Sequence, residues 1–322
     1  MDTGNQVRLA GMPAAFRTYG TLFALIVIIV VFSFLRPDAF FTFTNLINIS
    51  RQISLLVIIA IGATLVMSTS EFDLSIGTMA SLGGVIGAKM AVAGAPIVLC
   101  FLGPVVIGVL IGLVNGFIVT QFKVLSFIST LAMGTIIGGL IIWLTGGATV
   151  FENIPKSFSL AGTTNAGPVP LLTIFMLLTL LIFWFVMRHT SLGRKMYAIG
   201  GNEIAARVAG IHIKFNKNTA FALCGALAAF TGVLMASRLG SAHPNGGDGL
   251  FMQAYAAVFI GRTVFRSGVS NVVGTFIGAA ILGILANGLT IMQMPTFMQD
   301  MITGFIIILA VVIQKVGSGK IE

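Results

Sequence analysis

The sequence predicts an all-α polytopic membrane protein, and three observations predict it. Only 8% of the 322 residues are charged and 57% are hydrophobic, with a mean hydropathy of +1.05; a soluble domain carries about 25% charged residues. The apolar residues fall in repeated runs near the ~20 residues that cross a hydrocarbon core. Glycine is abundant, at 39 residues, which suits close helix approach in lipid. This composition leaves no room for a separate water-exposed domain, so 1–322 reads as a single transmembrane domain. The net charge of +9 would favour nucleic acid in a soluble chain; here the basic residues read as topology signals at helix ends, with no nucleic-acid partner.

The runs can be justified in order. The first span lies near Tyr19–Leu35 and is stopped by Arg36-Pro37-Asp38. It reads as an uncleaved helix, because it is long enough to cross and lacks a small-residue cleavage site. Residues Phe40–Ile53 are mixed and Asn-containing, and read as an interfacial lead-in to a short second span, Ser54–Met67. A polar cluster, 68–73, follows, and then a third span, Ile76–Val92. Gly94 and Pro96 make the turn into a fourth, Ile97–Thr120, and Lys123 marks the loop before a fifth, Leu125–Leu144. After the polar interval 146–167 comes a sixth, Val169–Met187. The segment 188–217 is charged and punctuated by glycine. A seventh span, Thr219–Ala236, precedes a plain loop over 241–249. The eighth, Met252–Ile260, is too short to span and reads as broken or re-entrant. The ninth and tenth are Val272–Met292 and Phe297–Val316. The two short spans and their polar breaks occupy comparable places in the two halves, where inverted-repeat transporters put broken helices, although the halves lack clear sequence similarity.

About ten crossings put both termini on one side. With the N-terminus inside, thirteen of the eighteen Lys and Arg residues face the cytoplasm; Arg36, Arg51, Lys89, Lys156 and Arg238 do not. The positive-inside rule therefore favours N-in and C-in, and makes 188–217 cytoplasmic.

The chain lacks a Gly-x-x-x-x-Gly-Lys-Ser/Thr phosphate loop, and no Ser/His/Asp or Cys/His set converges on one face, so no catalytic residue is assigned. Cys100 and Cys224 sit in apolar runs and read as buried structural thiols. His189, His212 and His243 lack ligand spacing, so neither a metal nor a cofactor is expected. Uphill transport would draw on an ion gradient or a partner.

Glu71 and Asp73 stand close to membrane depth, where carboxylates are costly. They are candidates for a polar passage or an ion site. For Asp73 the competing reading is a cap on the third span's helix, a role Ser75 could also take; for Glu71 it is cytoplasmic solvation. Asn115 and Asn287 interrupt apolar spans and either bond between helices or line a polar route. Gly274, Gly278, Ala279, Ala280 and Gly283 read as a packing surface. Within 188–217, residues 203–211 predict a short helix. Asn202 is its N-cap, Glu203 favours its first turn and Gly210 stops it. Ala205, Ala206 and Ala209 give it a small-residue face able to seat in a partner's groove.

The chain resembles the membrane permeases of bacterial ABC importers for ribose, galactose, xylose and related sugars. The resemblance covers nearly the whole chain. It rests on His189-Thr190, Gly193-Arg194, Tyr197 to Asn202, Ala205-Ala206, Gly210-Ile211, Ser237 to Ser241 with Pro244, Ala256 to Val258, and Asp73 to Gly77. It implies that Gly201, Asn202, Glu203, Ala205, Ala206 and Gly210 belong to a loop that docks on an ATP-hydrolysing subunit. It further implies a permease pair, homodimeric or otherwise, a cytoplasmic ATP-binding subunit, a periplasmic sugar-binding protein and residence in the inner membrane. The chain departs from the family pattern at Ser70-Glu71, at Phe251, Met252 and Gln253, and at Arg262 and Arg266. A stand-alone secondary transporter with Glu71 and Asp73 as ion ligands is the alternative.

Overall fold

The computed structural model describes residues 14–264 and 268–317; Arg8, Arg266 and Lys320 lie outside the described residues. Among those described, the helices are α1 (Ala14–Leu35), α2 (Phe43–Met67), α3 (Ile76–Val92), α4 (Ile97–Phe122), α5 (Ser126–Thr145), α6 (Lys156–Thr163), α7 (Leu171–His189), α8 (Ser191–Gly201), α9 (Glu203–Val208), α10 (Ile213–Leu239), α11 (Asp248–Gly261), α12 (Val272–Ile291) and α13 (Thr296–Gly317). A two-residue hairpin, β1 (Asn165–Ala166) with β2 (Val169–Pro170), follows α6 and pairs antiparallel, Ala166 opposite Val169.

Six of these helices are long and apolar enough to cross a membrane: α2, α4, α5, α7, α10 and α12. Thr21–Leu35 and α3 are shorter apolar helices. At a rise of 1.5 Å per residue, the 14 residues of α11 reach roughly 21 Å, well short of a ~30 Å core. The eighth segment is thus the short helix that the sequence reading describes.

The second span needs correcting. The expected interfacial lead-in and short helix are one helix of 25 residues, begun by Thr42, whose side chain accepts from the Asn45 amide. Its polar residues do not break it, and three of them find partners. Asn45 Nδ2 donates to the Phe40 carbonyl (2.7 Å), Ser50 Oγ to the Ile47 carbonyl (2.8 Å) and Arg51 Nη2 to Asn165 Oδ1 (2.6 Å). In the interval 188–217, a further helix, α8, precedes the expected short one, and α10 begins at Ile213, so Lys217 is helical. The polar interval after α5 folds over the bundle end. There Val150 bridges Ala242, and Ser237 Oγ donates to the Phe158 carbonyl (2.6 Å). The expected plain loop at 241–249 is thereby pinned, and the Gly247 amide donates to Ser81 Oγ (2.9 Å).

Helices α2, α10 and α12 form the interior, whereas α4, α5 and α7 turn large apolar side chains outward, among them Leu102, Ile128, Trp143 and Leu181. Small residues set how closely the interior helices approach. A Cβ at Gly112 of α4 would stand 2.2 Å from the Phe221 carbonyl oxygen of α10, and one at Gly232 of α10 would stand 1.7 Å from that of Ala80 in α3. Backbones this close gain dispersion contacts, which drive helix association in lipid. The expected packing role of Gly274, Gly278, Ala279, Ala280 and Gly283 is what α12 displays, since all five are buried. Cys100 and Cys224 are buried free thiols.

Candidate functional site

Helices α8 and α9 have well-defined starts. Thr190 caps α8, its side chain accepting from the Gly193 amide; Asn202 caps α9, its Oδ1 accepting from the Ala205 amide at 2.9 Å. Gly210, at φ +78°, ends that turn in the left-handed region. Helix α8 buries Gly193, Met196 and Ile199 at three-residue spacing, one face of a helix laid against the end of the bundle. Tyr197 on α8 is largely enclosed, and burial pushes its phenol up to about 12.

The α9 face differs from the expected one. Ala206 is 4% exposed and points into the chain, while Ile204 and Val208 are 78% and 85% exposed. These two stand four apart, on one side of the helix, and Ala205 is open beside them. The outward surface of α9 therefore combines Ile204 and Val208 with the exposed Ala205 and Ala209 of the expected face, and only Ala206 is turned inward. The sequence signal was present: two bulky aliphatic residues in a segment otherwise dominated by polar and small ones.

Beneath α9 lies an ion cluster. Lys217 Nζ donates to Glu71 Oε1 at 2.6 Å and to Glu203 Oε2 at 2.8 Å, and Arg207 Nη2 donates to Glu203 Oε1 at 2.8 Å. The Lys217 and Glu71 side chains are only 10% and 16% exposed. The hydrogen bond from Lys217 holds the Glu203 carboxyl below the usual carboxylate range. Neighbouring backbone adds to the junction: Ser70 Oγ donates to the Gly200 carbonyl at 2.9 Å, and a Cβ at Gly200 would stand 2.2 Å from the Ser68 carbonyl oxygen. Glu71 is thus ion-paired with Lys217 beneath α9.

Two residues further on, Asp73 is fully buried. The N-cap position of α3 is Ser75, whose side chain makes no cap bond. Asp73 acts two residues earlier, its Oδ1 accepting from the Ser75 amide (3.0 Å) and the Ser75 hydroxyl (2.5 Å). Asn115 Nδ2 donates to Ser75 Oγ (3.0 Å) and to Asp73 Oδ1 (3.5 Å). The Tyr255 hydroxyl receives the Asp73 amide at 2.7 Å and donates to its carbonyl at 3.0 Å. Tyr255 is a residue the sequence reading missed; its only signal was a lone phenol in an apolar run. Asn287 stands apart from this node and exchanges two amide hydrogen bonds with Asn45, each 3.0 Å. Of the family departures, Phe251 packs on Tyr255, and Arg262 donates to the Gly268 carbonyl.

Six long apolar helices define a multi-pass membrane protein, and at one end of it α9 turns Ile204 and Val208 outward. Comparison with known proteins gives the class. Residues 45–311 match the family described as branched-chain amino acid transport system / permease component, and the chain belongs to that family. It is 38% identical to the ribose import permease protein RbsC of Escherichia coli K12 over 92% of each chain. It is 34% identical to that strain's D-allose transport system permease protein AlsC, over 92% of this chain and 91% of the relative. It is 32% identical to that strain's xylose transport system permease protein XylH, over 89% of each. No solved structure matches. The chain is the permease subunit of an ABC-type importer, resident in the inner membrane, and a transport subunit rather than an enzyme. The stand-alone secondary transporter is set aside on the same finding, and Glu71, one of its ion ligands, is already paired with Lys217.

Proposed function

We propose that this permease subunit moves a monosaccharide or a similar small polyol inward. The observation that carries this is its similarity along nine-tenths of its length to import permeases named for ribose, allose and xylose. Its partners are a second permease chain, a cytoplasmic ATP-binding subunit and a periplasmic sugar-binding protein. The ATP-binding subunit docks at 188–217, on a surface that includes Gly201, Asn202, Glu203, Ala205 and Gly210. Ile204 and Val208 are its apolar centre. Ala206 belongs to the same helix but seats it on the bundle.

The chain has about ten crossings with both termini inside, and 1–322 acts as one transmembrane domain. Contacts of the basic residues support this orientation. Lys214 meets Gln121, and Lys217 meets Glu71, at the end bearing α8 and α9; Lys89 meets the Leu144 carbonyl at the opposite end. Of the passage candidates, Asn287 is committed to Asn45 and Glu71 to Lys217. Asp73 and Asn115 govern the shape of the segment before α3.

The test is co-purification and uptake. The chain, the ATP-binding subunit encoded with it and the binding protein are reconstituted in vesicles. ATP-dependent accumulation of a labelled pentose or hexose is expected, whereas gradient-driven uptake by the chain alone would overturn the reading. Replacing both Ile204 and Val208 with Asp should weaken association with the ATP-binding subunit by more than about tenfold, because a buried interface centre cannot accept two carboxylates.

A further inference from the structure

We infer that Lys217 is a positioning residue that makes α9 and the 68–75 segment move as one body. The inference rests on the docking reading above and adds the route by which motion at α9 enters the membrane domain.

Lys217 sits one turn inside α10, yet its ammonium serves neither α10 nor solvent. It reaches a carboxylate on each of two elements that are far apart in sequence, Glu71 before α3 and Glu203 at the start of α9. With Arg207 the cluster holds two positive and two negative groups, so it is balanced. The Arg207–Glu203 pair lies on the surface, with side chains 65% and 40% exposed, and such pairs contribute little. The Lys217–Glu71 pair is largely enclosed. Removing the lysine there leaves two carboxylates facing each other with no cation between them, the arrangement a low-dielectric setting penalises most.

The connection does not stop at Glu71. The next three amides are each held by a side chain from another helix: Phe72 by Ser126 of α5 (3.1 Å), Asp73 by Tyr255 of α11 (2.7 Å) and Leu74 by Thr130 of α5 (2.9 Å). A displacement of α9 that carries Glu203 therefore draws on Lys217 and Glu71. Through the 68–74 backbone it also draws on α3, α5 and α11. The Ser70–Gly200 hydrogen bond closes the junction from the side. The element is local, specific and made of bonds that a single substitution removes.

The experiment has two arms. The first uses the chain alone in nanodiscs and reads amide exchange. Lys217→Met should speed exchange in both α9 and 70–75, together and by about tenfold, while the interior of α10 and α12 stays protected. Exchange unchanged in either segment overturns the inference, and it does so without reference to any partner. The second arm uses the reconstituted importer and reads sugar moved per ATP hydrolysed. Lys217→Met should lower that ratio by about tenfold, and Lys217→Arg should keep it within about twofold. The charge-balanced double variant Glu71→Gln/Lys217→Met leaves Glu203 paired with Arg207 and separates linkage from mere neutralisation. It should be as uncoupled as the single variant. A wild-type ratio in the double variant would show that the lysine only balances charge and would overturn the inference. If the Ile204→Asp/Val208→Asp chain transports normally while the exchange result holds, the docking reading fails and the linkage stands.

Discussion

At Glu71 the segment between α2 and α3 meets charge with charge, near water and across to another element. At Asp73, two residues on, it buries a carboxylate completely, bonds it to Ser75 and Asn115 and holds the Asp73 backbone with Tyr255, none of which carries a positive charge. The first cluster is partly wet, built from long side chains, and links α9 to the bundle. The second is dry, built from short side chains and backbone, and fixes the chain's path into α3. One short segment thus carries an adjustable attachment at one end and a rigid anchor at the other.

The largest effect should come from breaking the anchor. Asp73→Leu removes the acceptor for the Ser75 amide and hydroxyl and for Asn115, and leaves those donors buried. A loss of about 3 kcal/mol is expected, since each unsatisfied buried group costs roughly 1–3 kcal/mol, read as a lower unfolding midpoint in detergent. Asp73→Asn keeps the Oδ1 acceptor and should lose less than half of that; equal losses in the two would show that packing, not hydrogen bonding, holds the node. Next in size is the Asn45–Asn287 pair, which joins α2 to α12. Replacing each with Leu, singly and together, should give a coupling energy of about 1 kcal/mol in a double-mutant cycle. A value near zero would mean that the amides are spectators of a glycine-lined contact.

A gentler probe of the charged cluster is pH. The Lys217 hydrogen bond lowers the folded-state value of Glu203. Its stabilising contribution is therefore complete above the ordinary glutamate value of about 4.3, and fades as pH falls through the lowered one. Protection of the α9 amides, corrected for intrinsic exchange, should be flat from neutrality down to that range and then decline. In Glu203→Gln the decline should vanish. The smallest effect belongs to Arg207. Arg207→Ala removes an exposed i,i+4 partner and should cost under about 0.5 kcal/mol; a larger loss would move the weight of the cluster from Lys217 to Arg207.

Much of this was legible in the residues. The run lengths located the long apolar helices to within a few residues, except for α2 and the start of α10. The Asn202–Gly210 frame located α9, because an amide cap and a left-handed glycine are local signals that need no distant contact. What was not legible were facts about partners. Phe40–Ile53 looked too polar for a span because nothing in the sequence says that Asn287 will meet Asn45, or that Asn165 will meet Arg51. Ala206 looked like a docking surface because small residues suit both a partner's groove and a chain's own interior, and the direction of a six-residue helix is set by what it rests on. Lys217 was counted only as a topology charge.

By itself, then, the sequence determined the class and the orientation signal. Hydropathy and charge asymmetry follow from side-chain chemistry against a bilayer, and no fold is needed to read them. Only the tertiary structure decided that Lys217 takes two carboxylates, that Tyr255 holds the Asp73 backbone, and that α9 turns Ile204 and Val208 outward. Those arrangements join positions up to 182 residues apart. They exist because close glycine-lined packing of α3, α4 and α10 brings the helix ends within hydrogen-bond reach, a distance the order of residues along the chain does not encode.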